Sequence, residues 1–254
     1  MGNGKQQKNQ RRGLGMFERF YTYPPHGCEH PWILRNIKQK PIDCVHEIVD
    51  IGIYDLLKTE GHKHTEEKLN LWSKLNTDGW KVVPDCPDIK GEFNQHVGFD
   101  NVEYSQELLL KYFDPRDDSQ LPVIQSNYED LRSFKDYIKW FKCNYGEHNK
   151  IAIGSICKSD NNKKAIKMLK IARREFNNSW IHAFGLRFKQ FIKARHLINS
   201  FDSTSWTFPR TQGHSCKNQE ERIEYFYDYI KRINEVMTPY NQNQLKLVMC
   251  YGRR

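Results

Sequence analysis

The sequence predicts an α/β protein folded as a single (β/α)8 barrel, a TIM barrel with no zinc subdomain. Three observations point there. Short apolar, β-branched runs alternate with longer stretches of helical periodicity. Eight strand candidates fit into 254 residues, spaced roughly 17 to 45 residues apart. The Gly-rich turns of an open doubly wound sheet, GxGxxG or GxxxxGKS/T, do not occur. Strand–helix alternation implies parallel strands joined by right-handed crossovers.

The elements follow in order. An early aromatic run at 16–23 is the first strand candidate, and EIVDIG at 47–52 the second, followed by a helical stretch over 65–75. WKVVPD at 80–85 leads to a helix around 105–112. PVIQ at 122–125 precedes a helix over 128–143, where Leu131, Phe134, Ile138 and Phe141 recur at helical spacing. IAIG at 151–154 leads to a basic helix over 163–175, and WIHAFG at 180–185 to a helix running to His196. INSFD at 198–202 opens a long loop, then a helix near 220–236, and LKLVMC at 245–250 is read as the last strand. Residues 1–13 read as a flexible basic arm and 14–254 as the barrel.

Composition narrows the function classes. Aromatics make up 13% of the chain, too many for a disordered one. No window approaches 18 consecutive apolar residues, and the first 15 residues lack the apolar core of a secretory signal. A cytoplasmic protein without membrane contact is expected, in the host cytoplasm if the source is viral. The seven cysteines are scattered with no CxxC or CxC pair, so reduced thiols are expected and no zinc cage. His62 and His64, or His26, Cys28 and His30, are read as loop residues and not as ligands, and no metal is assigned.

The net charge of +9 is localised. Between Lys158 and Arg195 eleven cations face only Asp160 and Glu175. Lys163, Lys164, Lys167, Lys170, Arg173, Arg174, Arg187 and Lys189 form the heart of this stripe. Such a stripe beside a basic arm marks a binder of phosphate backbone, although a solvated helix face would look the same.

A barrel builds its site at the C-terminal strand ends. Those positions hold Asp50, Asp85, Gln125, Gly154 with Ser155, His182 with Gly185, and Asp202. Three carboxylates and an amide on one rim suit nucleophilic and acid–base chemistry. The competing reading is that each Asp merely caps the next helix.

In this order the segments resemble the tRNA-guanine transglycosylase superfamily. IHAFG at 181–185, a helix and INSFDSTSW at 198–206 are similar to the segment carrying that family's aspartate nucleophile. IVDIGIY at 48–54 resembles its Asp-Ser-Gly-aromatic motif, with Ile51 and Ile53 in place of Ser and the second Gly. The strand ends at 82–85, 122–125 and 151–155 fall where the family reads its purine. The family's CxCxxC-plus-His zinc site is absent, which makes the chain more similar to the DpdA-like 7-deazaguanine DNA transglycosylases.

The resemblance implies exchange of guanine in DNA, or alternatively tRNA, for a 7-deazaguanine such as preQ0. Asp202 would be the nucleophile and Asp50 the general acid/base. Asp85 or Asp88 would bind the guanine N1–H and amino group; Gln125, Gly154, Ser155 and Gly185 would complete the pocket. Trp206 and Phe208 are candidates for stacking on bases. No cofactor is implied. A homodimer and a catalytically silent nucleic-acid-binding subunit stay open.

Overall fold

A computed structural model of the protein describes residues 19–52, 63–88, 100–157, 159, 161–207, 216 and 218–251, with side chains as far as Met237. The strands are β1 (Arg19–Tyr21), β2 (Trp32–Asn36), β3 (His46–Asp50), β4 (Trp80–Val82), β5 (Gln120–Leu121), β6 (Val123–Ile124), β7 (Lys150–Ile153), β8 (Trp180–Ala183) and β9 (Ser200–Asp202). Between and after them lie α1 (Glu66–Ser73), α2 (Asn101–Tyr112), α3 (Leu131–Tyr145), α4 (Asn162–Glu175), α5 (Phe188–Ala194) and α6 (Gln219–Tyr251). The fold is mixed α/β with parallel sheets.

Every pairing is parallel. One sheet runs β1-β9-β8-β7-β6 and the other β2-β3-β4-β5. Two features bring them together. β5 and β6 are separated only by Pro122, whose ring has no N–H to give a ladder. At the other side, Thr22 N–H donates to Trp32 O (3.2 Å) and Leu34 N–H to Thr22 O (3.3 Å), joining the end of β1 to β2.

Strand side chains alternate between two apolar layers, as the twofold period of a strand requires. Tyr21, Ile48, Val82, Leu121, Val123 and Ala152 pack together in one layer. Phe20, Ile124, Ile151, Ile153, Ile181 and Phe201 belong to the other, with Phe134, Phe141, Leu169 and Phe191 of the helices. Burial on both faces explains why these strands read as short apolar runs. Burying one such phenylalanine stabilises the fold by roughly 1.5–3 kcal/mol.

The first residues of six strands meet in one aromatic and cationic cluster. Arg19 lies between the rings of Trp32 (4.2 Å) and Trp180 (4.9 Å). Trp80 packs edge-on against both Trp180 and His46, with centroids 5.7 and 4.6 Å away. Lys150 Nζ stands 5.7 Å from the Trp80 ring.

Two sequence expectations change here. The run 245–250 is helical, absorbed into α6, because a short apolar run has no periodicity that separates strand from helix. β2 is a strand that the sequence reading passed over. Among the described residues, no helix is long and apolar enough to cross a membrane.

Candidate functional site

The strand ends converge. Asp50 closes β3, Asp202 closes β9, Gln125 and Gly154 directly follow β6 and β7, and Asp85 and Gly185 lie just past β4 and β8. All six line one cavity of about 250 Å³, together with Leu34, Pro87, Cys157, Phe184, Arg187 and the segment Ser203, Thr204 and Ser205. The helix caps are other residues: Thr65, Asp100, Asp130 and Asn161 start α1 to α4. The strand-end aspartates are therefore not spent on capping those helices.

Asp202 is held on two sides. Gly185 N–H donates to its Oδ1 at 2.8 Å, and His182 Nε2 stands 3.4 Å from the same oxygen. The first contact needs the left-handed backbone of Gly185 (φ +62°), where a Cβ would also meet Cys157 Sγ at 2.6 Å. The imidazole is fully buried, its Nδ1 2.9 Å from Ser200 Oγ.

Of the other two carboxylates, Asp85 is buried and Asp50 half-buried, both on the cavity wall. Burial pushes Asp85 up to about 8, helped by the charge of Asp50 and opposed by its hydrogen bond from Gln125. Burial also raises Asp50, to about 6. There the backbone N–H of Gly52 opposes the rise, and the charge of Asp202 adds to it. Lys68 lowers it again; its Nζ donates to Gly52 O at 2.6 Å. At neutral pH Asp85 is thus mostly protonated, and Asp50 is poised to exchange a proton.

A hydrogen-bonded platform joins the strands. Ser155 Oγ donates to Gln125 Oε1 at 3.0 Å, which aims Gln125 Nε2 at Asp85 Oδ2. Gly154 is required beneath it, since a Cβ there would stand 2.1 Å from Gln125 Nε2. The segment carrying Asp85 is pinned from outside: His64 Nε2 donates to Asp85 O (2.9 Å), and Ser105 Oγ contacts the backbone of Cys86. His64 is thereby tied to a carbonyl, and no cluster fit for a metal occurs among the described residues.

Several predicted residues lie elsewhere. Asp88 is buried outside the cavity lining, its Oδ2 accepting from Tyr128 N–H at 2.9 Å. Trp206 is buried too, donating from Nε1 to Thr22 Oγ1 (3.1 Å) and packing on Phe226, so it has no face to offer a base. Ser155 supports Gln125 from outside the lining.

The basic stripe divides. Lys163, Lys167, Lys170, Arg174 and Lys189 are exposed. Arg173 is instead a clamp, donating to the carbonyls of Leu197, Phe176, Asn177 and Ser179 and to Asn199 Oδ1. Lys164 lies 3.8 Å from Glu129, and Arg187 turns up on the cavity wall. Residues 1–13, His62, Lys158, Asp160 and Phe208 lie outside the described residues.

Sequence reasoning missed Phe184, Cys157 and the Ser203–Ser205 segment as cavity residues, for loops carry no periodic signal. No protein-family model and no curated protein sequence matches the chain.

Proposed function

We propose that the two sheets close into one eight-stranded barrel, with β5 and β6 as a single strand, and that the protein is a base-exchanging transglycosylase. It would replace guanine in DNA by a 7-deazaguanine through a covalent Asp202–glycosyl intermediate. The observation that carries this reading is the pairing of Asp202 and Asp50 on one small cavity beside the Asp85–Gln125–Ser155 platform.

The chemistry balances with those groups alone. The Asp202 carboxylate attacks C1′ as the C1′–N9 bond breaks, and Asp50 gives its proton to the departing guanine. The arriving base loses its N9 proton to Asp50, attacks C1′ and releases Asp202. Two inversions retain the anomeric configuration, as in retaining glycoside chemistry. A carboxyl raised to about 6 suits a group that both gives and takes a proton. Guanine N1–H and its amino group would donate to the Asp85 carboxylate, so binding of the base would release the Asp85 proton to solvent.

A cavity of about 250 Å³ is below the usual range for drug-sized ligands and suits one heterocycle. The target nucleotide must leave its stack to reach it. Phe184, on the wall, offers a ring on which the base can stack.

The test is nucleoside mass spectrometry after incubation with preQ0 and either duplex DNA or tRNA, in parallel with Asp202→Ala. A 7-deazaguanine nucleoside in DNA that vanishes in the variant supports the reading. Incorporation into tRNA alone moves the activity to tRNA. Binding of nucleic acid with no incorporation in either makes the protein a silent subunit and ends the enzymatic reading.

A further inference from the structure

Away from the cavity, α3 and α4 flank an open groove of about 410 Å³. Lys135, Lys139 and Lys142 rise along its α3 side at i, i+4 and i+7, one cation per turn. Arg174 lines the α4 side, continuing the exposed row of Lys163, Lys167 and Lys170. The floor is apolar, from Ile138 and Ile171. Acid is scarce: Glu175 sits between Lys142 (3.3 Å) and Arg174 (2.8 Å). Lys135, Lys139, Lys163, Lys167 and Lys170 form no ion pair among the described residues.

The groove is continuous with the site. α3 follows the strand that delivers Gln125, and α4 the strand that delivers Gly154, so both helices start at the cavity rim and run down the flank. From Lys163 to Arg174 the α4 row covers 11 residues, about 16 Å at 1.5 Å per residue. That length corresponds to about five base-pair steps of duplex axis at 3.4 Å each. A polymer with an anion on every monomer fits two regularly spaced cation rows whatever its sequence, whereas a peptide would need its acids placed in register.

We infer that the α3–α4 groove holds the phosphate backbone of the nucleic acid flanking the reacting nucleotide, with Lys135 and Lys139 as a second wall opposite the α4 row. This rests on the proposed function only in that a nucleic acid is the substrate. Its measurement does not need turnover.

The experiment compares wild type with Lys135→Gln/Lys139→Gln in binding a fluorescent 30-base-pair duplex across a salt series. Two lost contacts are expected to reduce the slope of log K against log salt by about 1.8, at about 0.9 per phosphate. Lys135→Arg/Lys139→Arg should keep the wild-type slope, and all three proteins should unfold at the same temperature. Cys143 is exposed on the groove and gives a second readout: duplex should protect it from a maleimide, read by peptide mass spectrometry. Wild-type binding with an unchanged slope in the Gln variant and unprotected Cys143 overturns the groove and leaves the function reading standing. Protection by an acidic polypeptide but not by duplex assigns the groove to a protein partner and also overturns the proposal. Absence of any nucleic-acid binding by wild type removes the function reading and the groove together.

Discussion

His182 Nε2 stands 3.4 Å from Asp202 Oδ1, across neighbouring strands whose register sets His182 opposite Ser200. Trp180 Nε1, which can only donate, gives its proton to Ser200 Oγ at 2.9 Å. Ser200 Oγ keeps a second lone pair, so its 2.9 Å contact with His182 Nδ1 forms in either imidazole tautomer; in the one that carries its proton on Nε2, that proton faces Asp202. In the proposed exchange His182 would act as a positioning residue for Asp202. His182→Phe keeps the ring volume and removes the donor. We expect the exchange rate to fall about 10²-fold, the loss typical of one preorganised donor, with the KM for the free base unchanged. His182→Gln should recover part of it. An equal fall in stability and KM would reduce His182 to packing.

Asp85 gives stability a defined pH dependence. Its carboxyl, raised to about 8, binds a proton in the folded state that the unfolded chain has released above the usual carboxylate value. Stability linked to Asp85 is therefore fully present at low pH and is lost as pH rises through about 8. Asp50 acts likewise up to about 6. His46 and His64, both pushed down to about 4 by burial, act oppositely, as do His30, His148 and His196, which burial also lowers; their effect fades above the ordinary histidine value near 6.5. From pH 7.5 upward these histidines are neutral in both states and Asp85 dominates. Urea unfolding should show lower stability at 8.5 than at 7.5, and Asp85→Asn should flatten that difference. A wild type equally stable at both pH values would falsify the assignment.

Gly154→Ala is a steric test of the platform. Its Cβ would overlap Gln125 Nε2, and the side chain must swing off Asp85 to admit it. Overpacking of this kind costs roughly 1–3 kcal/mol. We expect a lower Tm and loss of base binding by calorimetry. Unimpaired binding would show that Gln125 takes no part in reading the base.

Trp206 separates packing from stacking. Trp206→Phe removes the indole bond to Thr22, worth about 1 kcal/mol, and a drop of a few degrees in Tm is expected with unchanged affinity for DNA. Weaker DNA binding at an unchanged Tm would restore a stacking role to this residue.

Much of the site was legible because each strand ends abruptly in a polar residue or glycine, so Asp50, Asp85, Gln125, Gly154, Gly185 and Asp202 stood out at one predicted rim. β2 was hidden because its apolar run of three is broken by Arg35 and Asn36. Arg35 is buried through its pairing at 2.6 Å with Glu47 of the neighbouring strand and a bond to Gln39 O. The α3 row of lysines was passed over because its charge is balanced locally in sequence; only packing against α4 makes a groove of it. Arg173 misled for the opposite reason, since a cation in a basic run looks exposed until its carbonyl partners are seen.

The tryptophan-and-arginine cluster at the start of the strands bears on the order of events. With the sheets closed as proposed, this cluster would leave the cavity one doorway, and in the proposed exchange the outgoing guanine and its replacement would use the same passage in turn. Traffic of that kind is strictly alternating: the first base departs before the second arrives. Double-reciprocal plots at several concentrations of the incoming base should then be parallel. Intersecting lines would mean that two bases occupy the cavity at once and would count against the proposed exchange.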